Sequence, residues 1–407
     1  MYDLHLTAEQ HEIRDTVREF VANEIKPVAT RPARMEALER RPPADILLKA
    51  SQIGLRTLSL SETLGGAGAD AITACIVAEE LAAGDPNVAA VLVETSALSH
   101  VLFDQLLTPA QRERFLPQFV ADDAAQLALA AHEPDSDTEL GVNYHRAVPV
   151  GPAIHCAATR TPTGDWIVNG VKSFVPNAPL ARLIAVHVAT DPKAPGVSTL
   201  LVERDTPGMT IRELDQNAGW YHGLRGDITF ADCRVPAENL VGAEGRSPLA
   251  AGLEAGGRGV PLVQAMNVGL GRAAYEAALD YAKIRVQGGR RIIEHQAIGT
   301  LLAEMALRLE VARTMVWKAA WVADNPGAVA SRSIDDLPLQ TIARVYTAEA
   351  MHRVALDAAE VFGAMGVMRD MPLHKYVQDA LIFLHSGMSP GDGKLRIAEA
   401  LAEFRRS

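Results

Sequence analysis

The chain predicts an α+β protein in three successive parts: helical to about residue 125, antiparallel all-β from about 126 to 243, and a C-terminal helical bundle from about 244 to 407. Two observations predict this order. Apolar residues recur at helical spacing at both ends, while the middle breaks into short β-like runs separated by Gly, Pro and Asp clusters. Helices, then strands, then helices is neither the alternation of a doubly wound sheet nor that of an α/β barrel.

The first helix is announced by a capping box, Thr7-x-x-Gln10, followed by Ile13, Val17, Phe20 and Val21 on one face. Pro42-Pro43 and Leu64-Gly-Gly-Ala-Gly68 punctuate the N-terminal part as turns. The β runs are Gln126–His132, Trp166–Asn169, Leu183–Val188, Ser198–Val202 and Asp227–Phe230. Long helices return with Asn267–Ile284, Ile298–Val322 and the alanine-rich Leu339–Phe362.

Composition narrows the function. Of 407 residues, 48% are hydrophobic and 22% charged, ordinary for a globular protein with well-buried cores. A net charge of −11 argues against nucleic acid or an anionic membrane as partner, since both select basic patches. No uninterrupted apolar run reaches the ~18 residues of a membrane span. Asp3, His5 and Glu9 stand where a signal peptide needs a basic and then an apolar stretch. Three dispersed cysteines, Cys75, Cys156 and Cys233, fit a reducing compartment, and the cytoplasm is the expected location.

A series of motifs, in order and at matching spacing, resembles the acyl-CoA dehydrogenase family over nearly the whole chain. It runs from Leu6-Thr-Ala-Glu-Gln10 and Glu62-Thr-Leu-Gly-Gly66 through Glu133-Pro134, Gly164-Asp-Trp-Ile-Val-Asn-Gly-Val-Lys172 and Phe230-Ala-Asp-Cys-Arg-Val-Pro236. It continues with Gly269-x-Gly-Arg-Ala-Ala274, Tyr281-Ala-Lys-x-Arg-x-Gln287, Gln296-Ala-Ile298 and Val361-Phe-Gly-Ala-Met-Gly366. The resemblance implies a helical N-domain, a β-barrel-like middle domain and a helical C-terminal bundle. It also implies FAD between the middle and C-terminal domains, an acyl-CoA or acyl-carrier thioester as substrate, and a flavin site shared between subunits of a dimer or tetramer.

Carried over residue by residue, the implied flavin site is altered. His132 replaces a hydroxyl aimed at the flavin, and Phe174 can serve as an apolar wall against the isoalloxazine. Pro176 stands where a threonine would offer both hydroxyl and N–H, and has neither. Asp137-Thr138 occupy the following Gly-Ser position, and 139–153, with Tyr144 and His145, is longer than usual. Across the implied interface, Arg285 and Gln287 match the residues that bind the neighbour's pyrophosphate, a natural task for a guanidinium. Gly288 replaces that motif's phenylalanine. Glu360 replaces a glutamine and sets a carboxylate near the pyrophosphate, while Gly363 is retained and Ser389 ends the C-terminal signature.

The reaction is harder to name than the fold. In Asp379-Ala-Leu-Ile-Phe-Leu-His-Ser-Gly-Met-Ser389 the family's catalytic glutamate falls on Gly387, or on Ser386 with one deletion. Some relatives carry the base just before an arginine, which here is Gly257 before Arg258. Neither position accepts a proton near neutral pH. Glu254, His385 and Asp392 are the remaining candidates for a displaced base. A positioned base contributes ~10²–10⁴-fold to proton removal. Three readings follow: a flavin-dependent acyl-thioester oxidoreductase with a relocated base, a non-catalytic subunit lending Arg285 to a homologous partner, and a flavoprotein with other chemistry.

Overall fold

A computed structural model describes residues 5–34, 39–134, 154–190, 196–215, 221–250, 258–325, 338–385 and 387–401. The N-terminal helices are α1 (Ala8–Phe20, running on through a wider turn to Ala29), α2 (Ala44–Gln52), α3 (Ala71–Gly84), α4 (Pro86–Ser99) and α5 (Pro109–Ala121). The Thr7 capping box closes as the spacing demands: the hydroxyl accepts from Gln10 N while the Gln10 side chain accepts from Thr7 N. Thr108 and Gln111 repeat the device on α5.

The middle part holds β1 (Gln126–Ala130), β2 (Ala157–Arg160), β3 (Trp166–Pro176), β4 (Ala181–Val188), β5 (Ser198–Glu203), β6 (Met209–Glu213), β7 (Arg225–Val235) and β8 (Leu240–Val241). They form two four-stranded sheets, ordered β1-β4-β5-β8 and β2-β3-β7-β6. Val168, Ile184, Val186, Leu200, Ile228 and Phe230 share one core in this part. The all-antiparallel expectation needs one correction. β1 and β4 pair in parallel, with Leu129 opposite Ala185, because residues 131–180 and two strands of the other sheet intervene.

The C-terminal bundle is α6 (Gly259–Ile284), α7 (Gln296–Asp324), α8 (Leu339–Phe362), α9 (Leu373–His385) and α10 (Pro390–Leu401). Between α6 and α7 lies a two-stranded hairpin, β9 (Val286–Gln287) and β10 (Arg290–Arg291). Helices from both ends of the chain merge into one core, Val77, Leu81, Val88 and Leu92 packing with Val268, Leu270, Met351 and Phe383. A separate core joins Leu102, Phe103 and Phe119 to the outer face of β4 and β5 through Ala185 and Leu201. Pro86–Leu106 is apolar and long enough to cross a membrane by composition, yet most of it is buried between these cores.

Candidate active site and its relatives

The expected flavin wall is built on a distortion. β3 carries a bulge between Lys172 and Val175, and Phe174 within it has φ +52°, a conformation that L residues avoid. The bulge turns the ring outward, leaving Phe174 44% exposed. Its N–H is held by Asp227 Oδ1 at 3.3 Å and its ring meets Tyr221 edge-on at 6.4 Å. Burial, opposed by Arg225 and aided by Glu213, Asp215 and Asp227, pushes the Tyr221 phenol up to about 12, so it stays protonated and donates to Leu214 O at 2.8 Å.

Beneath this wall is a buried ion pair. Lys172 Nζ lies 2.6 Å from Glu133 Oε1, and Glu133 also accepts the N–H groups of His155 at 2.7 Å and Cys156 at 3.0 Å. Burial raises the Glu133 pKa, but Lys172 and these donors outweigh it and the net shift is downward. The exposed His132 sits on the same clamp, its carbonyl accepting from Ser173 N at 3.0 Å. Burial, with Lys172 and His132, lowers the His187 pKa to about 4, so that imidazole is neutral. Pro176 ends β3 opposite Arg225 and brings no N–H to the surface.

A second element of the site lies at the α6–α7 corner. Arg285 follows the last turn of α6, its N–H bonded to Tyr281 O and its carbonyl to Ile292 N. Gln287 pairs with Arg290 across a turn of Gly288 and Gly289, both at positive φ. Gly288 stands where the family's phenylalanine is expected, and its φ of +62° is a conformation that favours glycine. His295 Nε2 lies 3.0 Å from Gln287 O, fixing the hairpin to α7. Arg285, Gln287, Arg290 and Arg291 are exposed, and Arg285 makes no ion pair among the described residues. Tyr281 stacks on Phe362 at 4.1 Å, which brings the exposed Glu360 and Gly363 at the end of α8 to this corner.

The third element is the segment after α9. Gly387 has φ +80°, and a Cβ built on it would sit 3.5 Å from the Arg344 guanidinium. Arg344 donates to Met388 O at 2.6 Å, and burial, reinforced by Arg396, lowers its pKa. Gly387, one of the two positions where the sequence reading expects the family's base, thus faces a cation. His385 is exposed at the end of α9. Asp392 and Ser389 serve each other: the Ser389 hydroxyl donates to Asp392 Oδ2 at 2.7 Å and accepts from Asp392 N, capping α10. Arg258, which follows the other base position, pairs with Asp324 at 2.6 Å. Glu254, Gly257, Ser386, Asp137, Thr138, Tyr144 and His145 lie outside the described residues.

Arg344 and the buried histidine next to Tyr221, His222, were not singled out from sequence. An arginine inside an alanine-rich helical run and a histidine in a loop carry no signal until their neighbours are known.

These residues fit a flavin in part. The exposed aromatic and the guanidinium-bearing hairpin suit an apolar ring and a pyrophosphate, whereas Pro176 has no donor for a ring nitrogen. The chain also matches three models of acyl-CoA dehydrogenase domains: the N-terminal domain over 7–123, the middle domain over 151–233 and the C-terminal domain over 257–386. An acyl-CoA dehydrogenase of Bacillus subtilis is 30% identical over 386 residues, covering 93% of this chain and 94% of its own. A short-chain-specific acyl-CoA dehydrogenase of Clostridium acetobutylicum is 29% identical, with 93% and 94% covered. Butyryl-CoA dehydrogenase of Megasphaera elsdenii superposes with a TM-score of 0.84 at 25% identity, over 98% of this chain and 100% of that one. The chain belongs to the acyl-CoA dehydrogenase family, FAD-dependent oxidoreductases that act on acyl-CoA thioesters.

Proposed function

We propose that this chain oxidises an acyl thioester, carried on CoA or on a carrier protein, in an assembly where two subunits complete each flavin site. The observation that carries the reading is an outward aromatic at Phe174 together with an exposed hairpin whose Arg285 makes no ion pair among the described residues. Phe174 walls the ring, His132 borders it, and Arg285 and Gln287 reach a neighbouring subunit's pyrophosphate, with Glu360 and Gly363 beside them. When bound, FAD supplies the two-electron acceptor. The exposed Ile284, Val286, Val367 and Met368 favour a dimer or dimer of dimers. Cytoplasmic residence is part of the proposal, since Cys75, Cys156 and Cys233 are all free and buried.

The absorption spectrum of the purified protein tests this. A flavin band that bleaches anaerobically on addition of a short-chain acyl-CoA supports it, and a colourless protein that binds no added FAD refutes it. One observation favours a second reading, a non-catalytic subunit beside a homologous catalytic chain: Gly387 faces Arg344 instead of carrying a carboxylate. A colourless protein that turns yellow only when co-expressed with such a chain decides for that reading.

A further inference from the structure

The hairpin between α6 and α7 carries more positive charge than the family motif accounts for. Beyond Arg285, both Arg290 and Arg291 stand exposed on β10. Gly288 at φ +62° and Gly289 at φ +80° make the tight turn that joins β9 to β10. The register then sorts the side chains by face. Gln287 lies opposite Arg290, Val286 lies opposite Arg291, and Ile292 N donates to Arg285 O. Directly opposed residues share one face of a hairpin, and residues two apart return to the same face. Arg285, Gln287 and Arg290 are therefore on one face, and Val286 and Arg291 are on the other.

His295 holds Arg290 in place on that face. Its Nε2 lies 3.0 Å from Gln287 O, and because a carbonyl only accepts, Nε2 carries the proton. Nδ1 is then an acceptor, and Arg290 Nη2 donates to it at 3.2 Å. One imidazole thus ties the guanidinium to the strand that presents Gln287, which reduces the side-chain freedom lost when a ligand arrives. The partner is an imidazole, and no carboxylate among the described residues pairs with Arg290. A pyrophosphate is negative on both phosphates, and Glu360 adds a carboxylate at this corner. Arg285 alone offsets only one of these charges. We propose that Arg290, oriented by His295, is the second guanidinium of the site and shares with Arg285 the two phosphates of a neighbouring subunit's FAD. The inference rests on the flavin reading above. Planar guanidinium forks match phosphate oxygens, and two of them on one face serve a pair of phosphates. Arg291, on the opposite face, has no part in it.

The test measures FAD binding to the flavin-stripped protein by flavin fluorescence, with ADP as competitor, for the wild type, Arg290→Gln, Arg290→Lys, Arg291→Gln and His295→Phe. Thermal melting of each flavin-free preparation is recorded alongside. Arg290→Gln should weaken FAD about tenfold, the scale of one lost charge-assisted contact, and weaken ADP to match. Its flavin-free melting temperature should not move, since the side chain is exposed. Arg290→Lys keeps the charge without the fork and should recover part of the loss. Arg291→Gln should bind as the wild type does. His295→Phe should loosen FAD, and adding Arg290→Gln to it should cost less than in the wild type, because the two residues act as a unit. Wild-type FAD affinity in Arg290→Gln overturns the assignment. So do equal losses in Arg290→Gln and Arg291→Gln, which would show a general field and not a clamp on one face. A wild type that binds no FAD refutes the flavin reading itself, whereas binding that weakens in Arg285→Ala but not in Arg290→Gln confines the failure to Arg290.

Discussion

Where α9 meets the N-terminal helices, Lys375 Nζ lies 2.7 Å from Asp379 and 3.7 Å from Asp85, and Arg40 lies 3.1 Å from Asp379, all of them buried. On the hairpin between α6 and α7 the same kinds of cation, Arg285, Arg290 and Arg291, stand exposed. The fold treats the two sets oppositely. In the first, Asp379 and Lys375 of α9 pair with each other and with Arg40 and Asp85 of the N-terminal part, so the charges tie α9 to those elements. In the second, the backbone is fixed through His295 and the Gly288–Gly289 turn while the guanidinium of Arg285 is left without an ion pair among the described residues. A charge satisfied inside the chain is architecture. A charge left open at the surface is available to a ligand.

Removing one partner tests the first set most severely. Asp379→Asn leaves Lys375 and Arg40 buried with a neutral neighbour, and such a change costs about 3–5 kcal/mol. Urea denaturation near pH 7 should register that loss. The pH dependence follows from the lowered Asp379 pKa. The carboxylate's contribution is full above its unfolded value of about 3.9 and is lost as pH falls through the lower folded value. The stability gap between wild type and Asp379→Asn should therefore narrow in acid. A gap constant from pH 7 to pH 3 would mean that the ionised carboxylate is not what stabilises the junction.

Arg285→Ala probes the second set. Flavin should loosen by about ten- to a hundredfold, the equivalent of ~1.5–3 kcal/mol for a charge-assisted contact. The melting temperature of the flavin-free protein should stay put, because an exposed arginine without an ion pair adds little. A variant that melts much lower without flavin would place Arg285 among the structural charges and erase the contrast.

Gly387→Glu restores the family's side chain in a backbone that rejects it. At φ +80° a non-glycine residue costs about 1–2 kcal/mol. The new carboxylate would also lie against Arg344, whose charge favours the ionised, less basic form. The expected outcome is a destabilised protein with no gain in butyryl-CoA oxidation, and a variant with substantial turnover would show that Arg344 does not blunt a base there. Ser389→Ala has the smallest effect, about 1 kcal/mol for the lost cap of α10. Unaltered flavin binding in that variant would assign Ser389 to the helix cap, and weakened binding would return it to the cofactor site.

Much of the fold was legible because it follows from local periodicity. The run Leu339–Phe362 is a helix with those bounds, and each of the five β runs marks a strand, Gln126–His132 overrunning β1 by two residues. Strands β2, β6 and β8 went unread: four, five and two residues long, they give alternation too few positions to register. Candidate site residues were legible only where they fall in a recurring motif, as with Phe174, Arg285 and Gly387. Asp392 illustrates the opposite case. It stood out in sequence as a carboxylate near the missing base, but an acid three residues after a serine is also a cap, and here it bonds Ser389.

By itself, then, the sequence determined the order of helical and β parts, the family, and the absence of a carboxylate at both inherited base positions. These depend on composition and spacing along the chain, which exist before folding. Only the tertiary structure decided that Gly387 faces Arg344, that Phe174 is turned outward by a bulge, and that Arg40 comes to lie beside Asp379. Residues 40 and 379 are remote in sequence, and their encounter depends on how the N-terminal part docks on α9, a packing outcome with no local signature.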